Sequence, residues 1–165
     1  MAKPTTENLT LPDFPVTLVR VLEGNIIHED INLQERLAHS DKGLILYFHP
    51  KDNTSGCTTQ ATDFTTHLHD FAALGYDIIG VSRDGIESHK KFIEKHHLAI
   101  PLISDGNEQL CQYFGVIKEK NMYGKITLGL VRSSFVFDST GHLTHAQRNL
   151  RAKDYATRLL TILGA

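Results

Sequence analysis

The six residues Gly43-Leu44-Ile45-Leu46-Tyr47-Phe48 form an unbroken apolar and aromatic run, closed two positions later by Pro50. A strand that faces water on one side alternates apolar with polar residues, so a run without polar members must be covered on both faces. The chain therefore needs a central strand with a packing layer above and another below. Tyr76-Asp77-Ile78-Ile79-Gly80-Val81-Ser82 reads as a second buried strand. Between the two strands, Ala61, Phe64, Leu68, Phe71 and Leu74 recur at helical spacing until Gly75 supplies a stop, which predicts one long helix starting near Cys57.

The polar loop Lys51-Asp52-Asn53-Thr54-Ser55-Gly56 leads into Cys57, which falls in the first turn of that helix. Unpaired backbone N–H groups and the positive end of the helix dipole favour a thiolate there. The thiolate is the nucleophilic form. A cysteine of pKa about 8.5 is roughly 3% ionised at pH 7, and one of pKa about 6 is roughly 90% ionised. Ionisation thus contributes only about a thirtyfold gain, and anything faster needs a second polar group brought from elsewhere in the chain.

The order Pro50, Thr54, Cys57 fits the P-x-x-x-T-x-x-C signature of peroxiredoxins, and LYFHPKDNTSGCT resembles the peroxiredoxin Q subfamily, the bacterioferritin comigratory proteins. Further similar stretches are VSRDGIESHKKF, PLISD, YFGVIKEKNMYGK and GLVRSSFVFDSTGHL, so the resemblance runs from about Leu11 to His142. It implies a thiol-dependent peroxidase acting on hydrogen peroxide and organic hydroperoxides. Cys57 would be the peroxidatic cysteine, the Thr54 hydroxyl a hydrogen-bond partner of peroxide and thiolate, and Pro50 a shield over the sulfur. Arg132 would be the family's arginine, with Ser134 in the same strand. His49 stands where an aromatic residue is expected in the subfamily. The positions matching the subfamily's resolving cysteines are Thr62 and Ile93, neither a cysteine. This implies a one-cysteine cycle completed by an external thiol such as thioredoxin, glutaredoxin or glutathione, without metal, flavin or haem.

The setting of Arg132 points the same way as the resemblance. Leu128, Leu130, Phe135 and Phe137 read as a largely buried strand, where a guanidinium is costly unless it meets an anion. The Cys57 thiolate would be that anion. Cys111 stays open: flanked by Leu110 and Phe114 it reads as a small buried hydrophobe, and a two-cysteine cycle is the alternative. A thioredoxin-fold redox sensor or binding module with little turnover is the other reading. A dithiol reductase is disfavoured further, because Cys57-Thr58-Thr59-Gln60 lacks the hallmark C-x-x-C.

Along the rest of the chain, residues up to about Pro15 read as extended and poorly tied down. Val16 to His28 reads as a hairpin turning at Glu23-Gly24-Asn25, followed by a short helix from Asn32 to Leu37. A helix over Ile86–His97, a strand over Ala99–Ile103 and a helix over Asn107–Phe114 come next. Val116 to Lys125 is polar and expected to be irregular. Leu128–Phe137 and His142–Arg148 are expected as strands joined by Asp138-Ser139-Thr140-Gly141, and a final helix carries Tyr155, Leu159 and Ile162. This order is α/β and thioredoxin-like: a mixed central sheet flanked by helices, an N-terminal β-hairpin extension, and a single domain over residues 1–165.

Charge closes off other functions. The 17 Lys and Arg are scattered among 19 Asp and Glu, without the basic stripe that nucleic acid requires. No apolar run reaches a membrane span, and MAKPTTENLTLPDFP lacks a signal-peptide layout, which points to a cytoplasmic protein. The subfamily resemblance implies a monomer. His67 and His69, and the adjacent His96 and His97, point to different helix faces, against a metal site.

Overall fold

Both faces of the apolar run are covered, as its composition requires. The computed structural model describes residues 3–4, 7–40 and 42–164. Its elements run β1 (Lys3–Pro4), β2 (Pro15–Leu22), β3 (Asn25–Asn32), α1 (Leu33–Ala38), β4 (Gly43–Phe48), α2 (Ser55–Thr66), α3 (Leu68–Ala73) and β5 (Tyr76–Ser82). They continue as α4 (Ile86–His96), β6 (Leu102–Ser104), α5 (Gln109–Phe114), β7 (Ile117–Met122), β8 (Lys125–Leu130), β9 (Ser133–Phe137), β10 (Leu143–Arg148) and α6 (Tyr155–Gly164). Eight strands form one mixed sheet in the order β1-β10-β9-β4-β5-β6-β2-β3. The N-terminal hairpin thus extends one sheet edge. All six residues of β4 are buried, parallel to β5 on one side and antiparallel to β9 on the other.

Alternation along β4 divides the core. Leu44, Leu46 and Phe48 pack with Leu33 and Leu37 of α1 and Leu110, Cys111 and Phe114 of α5. Ile45 and Tyr47 face the opposite layer with Ala61 and Phe64 of α2, Phe71 of α3, Phe92 of α4 and Tyr155 of α6. Tyr47 lies directly over Gly80 of β5, where a Cβ would come within 2.7 Å of the ring. Cys111 therefore sits in the layer across the sheet from α2, fully buried, and burial together with Asp105 pushes its thiol pKa well up.

Several local expectations need correction. The long helix is two helices broken at His67, after Thr62 and Thr66 have each turned a hydroxyl back onto the carbonyl four residues earlier, a bond that bends helices. The β6 strand begins only after Pro101, which has no N–H to offer a ladder. The N-terminal segment is tied down: Lys3–Pro4 pairs with β10, Thr10 bridges to His142, and Leu11 is buried. Residues 117–130 are a separate two-stranded hairpin rather than irregular chain, turning at Tyr123 and Gly124, both at positive φ as a tight hairpin turn demands. Its strands show no apolar alternation strong enough to read. The strand expected over Leu128–Phe137 is interrupted at Val131 and Arg132, and Leu128 is 64% exposed.

The loop after β4 is fastened by a buried polar cluster. Asp52 accepts a hydrogen bond from His49 Nε2 at 2.7 Å on one oxygen, and from His89 Nδ1 at 2.6 Å and Ser88 Oγ at 2.9 Å on the other. The His89 ring spans Asp52 and the backbone of β6, with Nε2 2.9 Å from the Ile103 carbonyl oxygen. Burial alone would raise the Asp52 pKa, but the bonds from His49 and His89 outweigh it and hold the carboxyl well below its usual range. Burial lowers the His49 pKa despite the opposing pull of Asp52.

The His49 shift fixes a sign. The fold disfavours protonated His49, so as pH falls through about 6.5 the unfolded chain gains a proton that the native state resists, and stability declines. Asp52 acts in the same direction at lower pH, being stabilising above the ordinary carboxylate range and losing that contribution below it. Urea midpoints measured between pH 8 and pH 5 should fall for the wild type and fall less for His49→Phe; identical slopes would mean that His49 does not titrate against folding. Cys111→Ser, which exchanges a sulfur packed on an apolar layer for a smaller, more polar hydroxyl with Asp105 as its acceptor, should lower unfolding free energy by about 1 kcal/mol in the same assay.

Candidate active site

Thr54 has extended backbone angles and is the N-cap of α2, which makes Cys57 the third helical residue. The Thr54 side chain does not cap the helix. Its hydroxyl donates to the Lys51 carbonyl at 2.8 Å, so among the described residues the first-turn amides have no side-chain partner and their dipoles remain available to an anion. The Cys57 residue is 1% exposed. Its Sγ accepts a hydrogen bond from Arg132 Nη2 at 3.4 Å.

Arg132 arrives from the far side of the sheet pairing. Ser133, the first residue of β9, is in register with Phe48, the last of β4, so the residue before β9 lies beside the loop that leaves β4. The Arg132 carbonyl accepts from the Leu150 N–H at 2.9 Å, which anchors its backbone in the gap between β8 and β9. Nη1 donates to Gln60 Oε1 at 2.6 Å. A Cβ at position 56 would stand 2.9 Å from Nη2, so glycine leaves the room through which the guanidinium reaches the sulfur.

The structure thus joins Cys57 with Arg132, and sets Thr54 one helical turn before the sulfur in sequence. Pro50 is half-buried in the same loop. Ser134 is turned into the α2 and α6 layer, hydrogen-bonded to the Tyr155 hydroxyl, whose pKa burial pushes up to about 12. Sequence reasoning missed Gln60, three residues after Cys57 on the same helix, because a helical glutamine normally reads as solvated. It also missed Tyr47, whose buried phenol has its pKa raised by burial, then by the charges of Cys57 and Asp52. His89 was overlooked although it shares the inward stripe of Phe92 and Ile93.

His49, Asp52 and His89 bring ligand-type atoms within 4.8 Å of one another, the pattern of a metal centre. Their closest contacts, 2.6 and 2.7 Å, have hydrogen-bond lengths. Donors about 2.1 Å from a tetrahedral zinc would stand roughly 3.4 Å apart, so these groups hold one another rather than an ion.

Comparison with known proteins places the chain in a family. Residues 9–146 match the AhpC/TSA family. Peroxiredoxin Bcp of Xanthomonas campestris is 47% identical over 128 residues, 78% of this chain and 80% of its own length. Peroxiredoxin Bcp of Bacillus subtilis is 42% identical over 125 residues, 76% and 80% of the two chains. The solved structure of Xanthomonas campestris peroxiredoxin Q superposes with a TM-score of 0.82 at 40% identity, covering 98% of this chain and 96% of that one. A further structure of the Xanthomonas campestris bacterioferritin comigratory protein, described in terms of its alkyl peroxide reduction activity, also gives a TM-score of 0.82 at 40% identity. The chain belongs to the AhpC/TSA family, in its peroxiredoxin Q or bacterioferritin comigratory branch, and is a thiol peroxidase.

Proposed function

We propose that this peroxidase works through Cys57 alone, reducing hydrogen peroxide and small organic hydroperoxides and relying on an external thiol to complete the cycle. The observation that carries the reading is the Arg132 guanidinium 3.4 Å from a buried sulfur at a helix start. A positive charge in that position favours the anionic sulfur and meets the negative charge that develops on the leaving oxygen.

In the first half-reaction the Cys57 sulfur attacks the distal peroxide oxygen. An S–O bond forms, the O–O bond breaks, and Cys57 becomes a sulfenic acid. The departing oxygen takes the proton given up by the thiol and leaves as water or alcohol. Thr54 keeps lone pairs free to accept a hydrogen bond from the peroxide while its hydroxyl hydrogen points to Lys51, and Pro50 restricts access along the loop. In the second half-reaction a thiol attacks the sulfenic sulfur, releasing water and leaving a mixed disulfide, which a second thiol resolves.

The external reductant is favoured by the place of Cys111, a core thiol in the opposite layer with its pKa pushed up. Thr62 and Ile93 supply no thiol where the subfamily's resolving cysteines would stand. Thioredoxin, glutaredoxin and glutathione are the reductants of this reading, and a monomer in the cytoplasm, where such thiols are abundant, is its setting.

Stopped-flow oxidation by hydrogen peroxide should be abolished in Cys57→Ser and slowed on the order of a hundredfold in Arg132→Met; an unchanged rate in the arginine variant would remove Arg132 from the chemistry. Turnover with a panel of external thiols should be equal in wild type and Cys111→Ser. Prompt formation of an intramolecular Cys57–Cys111 disulfide, seen by intact mass after one equivalent of peroxide, would overturn the one-cysteine cycle.

A further inference from the structure

Of residues 50–56, which carry the chain from the central strand to the cysteine helix, Asp52 alone is buried. Lys51, Asn53, Thr54 and Ser55 are exposed, and Pro50 and Gly56 are half-exposed. A loop whose single inward residue is a carboxylate is held by that carboxylate. Asp52 is held from three elements. His49, at the end of β4, and Ser88 and His89, on α4, donate to its oxygens. Its backbone N–H donates to Asp84 Oδ2 at 3.0 Å, in the turn before α4, and that same oxygen accepts from Ser82 Oγ at the end of β5. His96 on α4 adds an exposed contact to Asn53 at 3.1 Å.

The two half-reactions ask opposite things of this loop. Peroxide is small and reacts with a sulfur held against Arg132. A thiol reductant is bulkier and must approach the sulfenic sulfur in line with its S–O bond, at a residue that is 1% exposed in the closed arrangement. The loop must therefore sit closed for oxidation and swing open for reduction. We propose that Asp52, gripped by His49 and His89, is the latch of this loop: a positioning residue that holds Cys57 in place for peroxide and sets how readily its sulfenic acid is presented to the external thiol. The histidine at position 49 has a purpose on this account, since an aromatic hydrocarbon there would pack against Tyr47 and Phe92 equally well but could not bind Asp52.

The latch rests on the Cys57 cycle proposed above, and the two can be tested apart. In wild type, Cys57 sulfenic acid formed with one equivalent of hydrogen peroxide is trapped with a cyclic 1,3-dione and located by mass spectrometry. The rate of its formation and the rate of its reduction by dithiothreitol are then measured separately, well below the unfolding temperature. In Asp52→Asn, oxidation should slow about tenfold as the sulfur loses its fixed position, while reduction of the preformed sulfenic acid should quicken by roughly fivefold or more as the loop opens more often. A merely structural loss would depress both rates together. His49→Phe, which removes one bond and keeps an aromatic among its aromatic neighbours, should shift both rates in the same opposed directions by a smaller factor; it decides the matter if Asp52→Asn does not fold. Rates that fall together, or a ratio of the two unchanged from wild type, overturn the latch while leaving the Cys57 cycle standing. Absence of any Cys57 adduct in wild type overturns the cycle and the latch with it.

Discussion

A guanidinium placed against a buried sulfur can exist only if the chain solves a long-range problem. Arg132 and Cys57 are separated by 75 positions, and their contact is made by neither helix nor hairpin but by the antiparallel pairing of β9 with β4. That pairing sets Ser133 opposite Phe48, so the residue before one strand and the loop after the other meet at the same sheet end. The rest of the arrangement serves the contact. Gly56 leaves room for the guanidinium, Gln60 takes its other nitrogen, and Leu150 fixes its backbone carbonyl. Removing Gln60 would leave one nitrogen of a partly buried cation to find a new partner, and an uncompensated buried charge is among the most expensive defects a fold can carry.

The two halves of this contact were unequally legible in the sequence. Cys57 could be placed from local rules, because a proline-terminated apolar run, a polar loop and a helical periodicity fall in order around it. The break of that helix at His67 was hidden, since a threonine that bends a helix through its own hydroxyl looks the same in sequence as one that does not. Arg132 is legible mainly by resemblance, since the apolar neighbours that would mark it as buried include Leu128, which the structure exposes. The break at Val131 and Arg132 could not be read because Leu128 to Phe137 is apolar enough to pass for one strand, while its two parts belong to different sheets. The polar 117–130 hairpin escaped for the converse reason: with two solvated faces, it carries no period. Gln60 and His89 were within reach of helical spacing. Asp52 was not, for nothing local marks one charged loop residue as the buried one.

The energetics of the loop explain why a charge does this work. Asp52 accepts three hydrogen bonds, yet the desolvation of a carboxylate and of the groups that bind it roughly cancels such gains, so a buried ionic cluster adds little to stability beside an apolar plug. What an apolar plug lacks is direction. Hydrogen bonds from β4, from α4 and to the turn before α4 define one orientation for the residue, and five positions further on they define where Cys57 sits relative to Arg132. The sulfur is thus located by two charged groups approaching from opposite flanks, a cation from the β9 side and an anion fixed to the α4 side.

The same neighbourhood holds most of the buried side-chain nitrogen and oxygen atoms that find no protein partner among the described residues. Gln147 Oε1 apart, they are Tyr47 Oη, His49 Nδ1 and Gln60 Nε2. Each unpaired group costs about 1–3 kcal/mol in an interior where nearly all others are satisfied. Apolar residues at these positions would make a more stable layer, since Tyr47 stacks on Phe64 and His49 packs against Phe92 through their rings alone. Each of the three instead spends another of its atoms, or its place in the strand, on the site: Gln60 holds Arg132, His49 holds Asp52, and Tyr47 directly precedes the loop-bearing end of β4. The core is therefore locally less stable around the sulfur than its composition would allow, and the departures from good packing fall where positioning, rather than burial, is what the chain has to achieve.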